Sequence, residues 1–375
     1  MASRTSTVVM APPSEEKHDV GFLVFDPKKM VKQELPKQFI WPNEDLVEAK
    51  EELNEPLVDM EGFLKGDEVA TAHAAELVRQ ACVTHGFFQV INHGVNPDIL
   101  HATEVGLDPY FNLPMSRKLS MHKKVDELCG YCGAHSDRFA AKLTWKEMLT
   151  FEYHFKGDTD SEVADYFKNV VGEDFEETGW VFQRFCEAMK DLSLKIFKLL
   201  AISLDLEDTS YCEKFFEDGF AVLRCNYYPV CPESGLTFGT GPHCDPTSLT
   251  ILHQDQVGGL EVFSNEKWYY VKPQPGALVI NIGDTLMALT NGIYKSCLHR
   301  AAAKNDRDRI SFAYFISPRQ DKLISPIKDL IAREGSKKYP DFKWEQLLDF
   351  TQVHDRTDDT TIKRFVEFLE SSETK

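Results

Sequence analysis

Two hydrophobic periods divide this chain. Phe182, Phe185, Met189, Leu192, Ile196 and Leu199 recur at intervals alternating between three and four, which places them on one stripe of a long α-helix. That stripe is a packing face. From Phe220 onward the period falls to two: short apolar runs are punctuated by Gly258-Gly259, Pro273, Pro275-Gly276 and Asn291-Gly292, as in strands joined by tight turns. Such a succession predicts a double-sheet jelly roll. Upstream, Leu57–Met60 and Phe87–Ile91 read as strands around a helix that Asp67 caps and that runs to Gly86. Asn92-His93-Gly94 follows as a turn, with His93 serving backbone groups. Trp344, Leu347, Leu348, Phe365, Phe368 and Leu369 predict helices that cover the barrel. Residues 1–55 hold Pro12, Pro13, Pro36 and Pro42 with no sustained period, and read as a polar extension that orders late. The expectation is a mixed α and β fold: a double-stranded β-helix core over 219–319, a unit over 56–165, linking helices over 166–218 and a helical cover over 320–375.

A length of 375 residues with 42% hydrophobic content supports a sizeable core. The formal charge of −18 argues against nucleic acid or an anionic membrane surface, because the summed field repels phosphates. Any anionic ligand must therefore be met by local cations. No run approaches the roughly 20 apolar residues of a membrane span, and the N-terminus lacks a signal-peptide core; the expectation is a cytosolic protein. Nine cysteines, odd in number and scattered, do not make a secreted disulfide framework. The single Cys129-Gly130-Tyr131-Cys132 has no second pair at zinc-site spacing and is given no function.

The chemistry concentrates between residues 224 and 311. His243 and Asp245, two apart, share a strand face while Cys244 takes the other. With His299 they make two imidazoles and one carboxylate, the facial set that leaves coordination positions open on non-haem Fe(II). His-x-Asp alone occurs by chance in a chain with 12 histidines and 60 acidic residues, so the neighbouring patterns matter. Arg309 and Ser311 are also two apart, in the apolar run Ile310–Phe315. A guanidinium beside a hydroxyl suits the distal carboxylate of a dicarboxylic acid, since arginine binds carboxylate bidentately and stays charged when buried. Arg224, Asn226 and Tyr228 alternate onto one face of a strand that Pro229 ends. His253 shares parity with Leu249 and Ile251, which suggests a second inward position.

In this order, Asn226-Tyr227-Tyr228-Pro229, His243-x-Asp245, His299 and Arg309-x-Ser311, the chain resembles the plant family of 2-oxoglutarate- and Fe(II)-dependent dioxygenases over most of its length. The run Thr240–Asp255 is similar to the gibberellin 20-oxidase group of that family. The resemblance implies Fe(II) on His243, Asp245 and His299, and 2-oxoglutarate as cosubstrate. Arg309, the residue expected to be catalytic, and Ser311 would take its distal carboxylate, with Asn226 and Tyr228 lining the other end and ascorbate a stimulant. It implies oxidation of a diterpenoid acid by dioxygen at carbon-20, from methyl through alcohol and aldehyde to loss of the carbon, with a carboxylic acid as side product. A helix-like segment from Arg138 to Phe151 offers Arg138, Lys142, Trp145 and Lys146 to that substrate, and Arg224 is a further candidate for its carboxylate. Where the group carries Leu-Pro-Trp-Lys-Glu-Thr, this chain has Leu143-Thr144-Trp145-Lys146-Glu147-Met148. No nucleic-acid, membrane or protein partner is expected. The alternatives are another plant dioxygenase acting on gibberellins or flavonoids, or a catalytically silent ligand-binding jelly roll.

Overall fold

The computed structural model describes residues 24–30, 34–124, 127–134, 142–156, 160–352 and 358–373. Its strands are β1 (Glu51–Glu52), β2 (Leu57–Asp59), β3 (Phe87–Ile91), β4 (Gly130–Gly133), β5 (Glu147–His154), β6 (Phe220–Tyr228), β7 (Phe238–His243), β8 (Leu249–Gln254), β9 (Leu260–Ser264), β10 (Lys267–Tyr270), β11 (Leu278–Ile282), β12 (His299–Ala302) and β13 (Arg309–Ser317). They form two sheets, ordered β1-β10-β9-β12-β7 and β2-β3-β11-β8-β13-β6-β5-β4. The fold is the expected jelly roll, with helices packed around it. In the larger sheet β13 lies between β6 and β8, both antiparallel to it.

Three long helices cover the outer face of that sheet: α1 (Glu68–Thr84), α2 (Pro97–Phe111) and α3 (Glu176–Ser203). The Asp67 carboxylate caps α1 by accepting from the Ala70 N–H at 2.9 Å, and α1 ends at Thr84. All six stripe residues of α3 are buried in the core that also takes Phe312 and Tyr314 of β13. Each contributes about 1.5–3 kcal/mol before entropy is counted. At the other end α4 (Trp344–Gln352) and α5 (Thr361–Glu373) close over Phe220. Among the described residues no helix is long and apolar enough to cross a membrane.

The polar N-terminal stretch nonetheless buries Phe25, Leu35, Phe39, Trp41 and Leu53. Isolated apolar side chains inserted one by one leave no period for sequence reading to find. The segment expected to be helical up to Phe151 is instead β5 from Glu147, preceded by irregular chain from Lys142. It is β5 because its backbone pairs with β6, Glu147 opposite Tyr227 and Met148 opposite Asn226. That pairing satisfies its donors and acceptors as a local helix would have done.

Candidate active site

His243 and His299 are direct cross-strand partners on β7 and β12. The same pairing steps from Thr240–Ala301 to His243–His299, three residues against two, so β7 carries a bulge here. A bulge re-aims side chains, and both Thr240 and His243 line the cavity between the sheets. The imidazole centroids are 4.2 Å apart. Asp245 lies just beyond the end of β7, in a turn rather than on the strand, while Cys244 between them is fully buried. That turn is held by the Asp284 N–H donating to the Asp245 carbonyl at 2.8 Å and the Thr285 hydroxyl donating to the Pro246 carbonyl at 2.6 Å. Gly283 is required there: a Cβ would sit 2.0 Å from the Thr247 carbonyl oxygen.

Ligand atoms of His243, Asp245 and His299 all lie within 4.8 Å of one another. His243 Nδ1 meets the Gly241 carbonyl at 2.9 Å and His299 Nδ1 meets the Cys297 carbonyl at 3.0 Å. A carbonyl only accepts, so each Nδ1 carries a proton, which in the neutral ring leaves the Nε2 lone pair for a cation. Those Nε2 atoms stand 3.6 and 4.0 Å from the two Asp245 oxygens. Thr250 donates to Asp245 Oδ2 at 2.6 Å, which fixes the carboxylate's rotation. Burial, and then the neighbouring His299, push the His243 imidazole well below its ordinary pKa, which keeps it neutral as a ligand must be. Two imidazoles and one carboxylate on a single side fit Fe(II) with positions left open.

The cavity runs away from this cluster between the sheets. Arg309 lies opposite Tyr228 and Ser311 opposite Asn226 in the β13–β6 register, so the two polar pairs seen in the sequence meet side by side. Arg309 is 2% exposed; its Nη2 donates to Gln254 Oε1 at 2.8 Å, and its guanidinium lies 4.9 Å from the Tyr228 ring centre. Asn226 Nδ2 donates to Ser311 Oγ at 3.4 Å. The buried Arg309 Nε, Arg224 Nε and Asn281 Oδ1 have no hydrogen-bond partner among the described residues, and all three residues line the cavity. Ordered water or a polar ligand satisfies such groups. Arg224, one row further along, rests its guanidinium 5.2 Å from the Phe315 ring centre.

The other substrate candidates divide. Arg138 lies outside the described residues. Lys142 turns away, donating to the Ile40 carbonyl at 2.7 Å, and does not line the cavity. Trp145 is buried against Phe25 and Phe39, its indole donating to the Pro229 carbonyl at 3.1 Å, so it is a structural anchor and not a substrate wall. Lys146 sits inside the cavity, 1% exposed, rather than at its mouth. His253 points outward from the barrel to stack on Phe312 and meet Glu104 at 2.9 Å, because Thr250 and Leu252 take the inward parity of β8. Thr144 uses the donor that a proline would lack, its N–H reaching the Ala134 carbonyl at 3.0 Å. Thr250, which holds the Asp245 carboxylate, is a residue that sequence reading misses. A hydroxyl in an apolar strand five residues after Asp245 is the available signal.

This fold and donor set define the class of 2-oxoglutarate- and Fe(II)-dependent oxygenases. The model of the 2OG-Fe(II) oxygenase superfamily matches residues 219–318, and that of the non-haem dioxygenase in morphine synthesis N-terminal region matches residues 56–173. Among solved structures, the crystal structure of JOX2 in complex with 2OG, Fe and JA aligns at a TM-score of 0.77 and 29% identity, covering 90% of this chain and 96% of that one. Gibberellin 20 oxidase 2 of Oryza sativa subsp. japonica is 48% identical over 89% of this chain and 85% of its own length. Gibberellin 20 oxidase 2 of Arabidopsis thaliana is 42% identical over 93% and 92%. The chain belongs to the gibberellin 20 oxidase family of Fe(II)- and 2-oxoglutarate-dependent dioxygenases.

Proposed function

We propose that this enzyme oxidises carbon-20 of gibberellin precursors, taking a methyl group through alcohol and aldehyde and then removing the carbon to leave nineteen-carbon products, in gibberellin biosynthesis. The domain over 219–319 carries the site, and the flanking helical regions wall it in. His243, Asp245 and His299 hold Fe(II). Bound iron with dioxygen supplies the oxidising power, and 2-oxoglutarate leaves as succinate and carbon dioxide. Arg309 and Ser311 hold the distal carboxylate of 2-oxoglutarate, while Asn226 and Tyr228 line its path toward the metal. Arg224 meets the carboxylate of the diterpenoid acid. Leu252, Ala313 and Phe315 offer the apolar wall that keeps water from the reacting carbon.

One observation carries the substrate reading: in a protein of charge −18, a guanidinium with an unpartnered Nε stands on an apolar wall of the iron cavity. An apolar acid supplies what that pairing asks for. The enzyme acts in the cytosol without a protein partner, which cell fractionation and size measurement test. The deciding experiment is mass analysis of products from a panel of twenty-carbon gibberellins with Fe(II) and 2-oxoglutarate. Nineteen-carbon products with matching succinate are expected; succinate without gibberellin turnover would overturn the substrate assignment.

A further inference from the structure

Lys146 and Glu147 are neighbours in sequence but face opposite sides of the large sheet. Glu147 turns outward, where Lys118 donates to both its oxygens at 2.9 Å and Tyr131 donates at 2.6 Å. Lys146 turns into the cavity. The β5–β6 pairing sets Glu147 opposite Tyr227 and Met148 opposite Asn226, so one step further brings Lys146 level with Tyr228. Arg309 is the partner of Tyr228 on its other side. Lys146, Tyr228 and Arg309 therefore stand in one row across three adjacent chain segments.

The Lys146 ammonium donates to Thr240 Oγ1 at 3.0 Å and to Asn226 Oδ1 at 3.3 Å. Thr240 in turn lies 3.4 Å from the Tyr228 hydroxyl. Asn226 and Tyr228 line the cosubstrate's path in the proposed function, and they are the register partners of Ser311 and Arg309, the two residues given to its distal carboxylate. The Tyr228 phenol reports the same convergence. Burial by itself would raise its pKa, yet the nearby charges of Lys146 and Arg309, with hydrogen bonds from Thr240 and Ser311, hold it below its ordinary value. Two cations thus bear on one point of the wall.

The lysine's position is enforced from behind. The Trp145 N–H donates to the Phe238 carbonyl at 2.8 Å, and the Lys146 carbonyl accepts from the Ala134 N–H at 2.8 Å. With the Trp145 ring clamped by Phe25 and Phe39, the chain on either side of Lys146 is tied to both sheets. A flexible ammonium is ordinarily a solvated point charge; here it is buried and held by Thr240 and Asn226.

We infer that Lys146 is a second cation of the cosubstrate site, binding the distal carboxylate of 2-oxoglutarate together with Arg309, and is not a contact for the gibberellin. This rests on the function proposed above. The cavity's positive charge is then divided between its two acids, with Arg309 and Lys146 holding the dicarboxylate and Arg224 holding the diterpenoid acid.

The test compares binding of 2-oxoglutarate and of 2-oxobutanoate, which has the same 2-oxo acid head but no distal carboxylate. Calorimetry on full-length protein loaded with Zn(II) reads both without turnover. Lys146→Met should weaken 2-oxoglutarate by roughly tenfold or more, the scale of one charge-assisted hydrogen bond, and leave 2-oxobutanoate unchanged. In turnover the KM for 2-oxoglutarate should rise while the KM for the gibberellin stays. If the methionine variant does not fold, Lys146→Gln repeats the comparison with a neutral polar end for Asn226 and Thr240. Equal loss for both oxo acids, or a raised gibberellin KM with 2-oxoglutarate binding intact, would overturn the assignment of Lys146 alone. Wild-type protein that fails to bind 2-oxoglutarate would overturn the functional reading with it.

Discussion

Replacing Arg224 with Ala separates substrate recognition from fold stability. The guanidinium has no ion pair among the described residues, its Nε is buried without a partner, and its principal neighbour is the Phe315 ring at 5.2 Å. Removing it therefore breaks no salt bridge and relieves one orphaned donor, so the melting temperature should hold to within a few degrees. Binding is another matter. A substrate carboxylate that loses a charge-assisted hydrogen bond forfeits about 1.5–3 kcal/mol, or roughly 10- to 150-fold in kcat/KM. The larger penalty of about 3–5 kcal/mol for stranding a fully buried charge does not apply in full, because Arg224 is only partly buried. The assay is a cycle: wild type and Arg224→Ala, each with a twenty-carbon gibberellin acid and with its methyl ester. Wild type should prefer the acid by that factor, and the variant should turn over acid and ester alike. If the variant loses acid and ester turnover equally, or if only the 2-oxoglutarate KM moves, Arg224 does not bind the substrate carboxylate.

Arg309→Lys, which trades a planar fork for a point charge, should raise the 2-oxoglutarate KM about tenfold or more and the gibberellin KM far less; equal changes would make Arg309 structural. Ala at His243, Asp245 or His299 should abolish turnover and lower bound iron measured by metal analysis, and a His299→Ala variant with wild-type iron content would break the assignment. Thr250→Val removes the 2.6 Å hydrogen bond to Asp245 and should weaken metal binding by about 10- to 100-fold, read by competition with a chelating dye. His85, whose pKa burial and then Lys295 lower to about 4, takes up protons in the unfolded chain before the folded one. Its contribution, up to about 3 kcal/mol, is present above pH 6.5 and lost as pH falls toward 4. His85→Gln should flatten the urea midpoint across that window, and an unchanged slope would place the acid sensitivity elsewhere.

Alternation along single strands is legible without tertiary structure. It puts Arg224, Asn226 and Tyr228 on one face of β6 and Arg309 and Ser311 on one face of β13, because a strand's side-chain period is a property of its own backbone. The α3 stripe and the Asp67 cap are readable for the same local reason. Parity alone sends His253 to the wrong side because β8 is buried on both faces, one against the helices and one against the cavity; it names two sets of residues without saying which is inside. The stretch from Lys142 to Phe151 reads as a helix yet ends as a strand, since its hydrogen-bond partner, β6, lies some seventy residues away in sequence and satisfies the backbone only once the sheet forms. The same long-range pairing carries Lys146 inward and Glu147 outward. The meeting of His243 with His299 needs the β7–β12 register and its bulge. The sequence by itself determined which groups could bind a metal, a dicarboxylate and an acid; the packing of two sheets decided which of them share one cavity, because that depends on contacts between residues far apart in the chain.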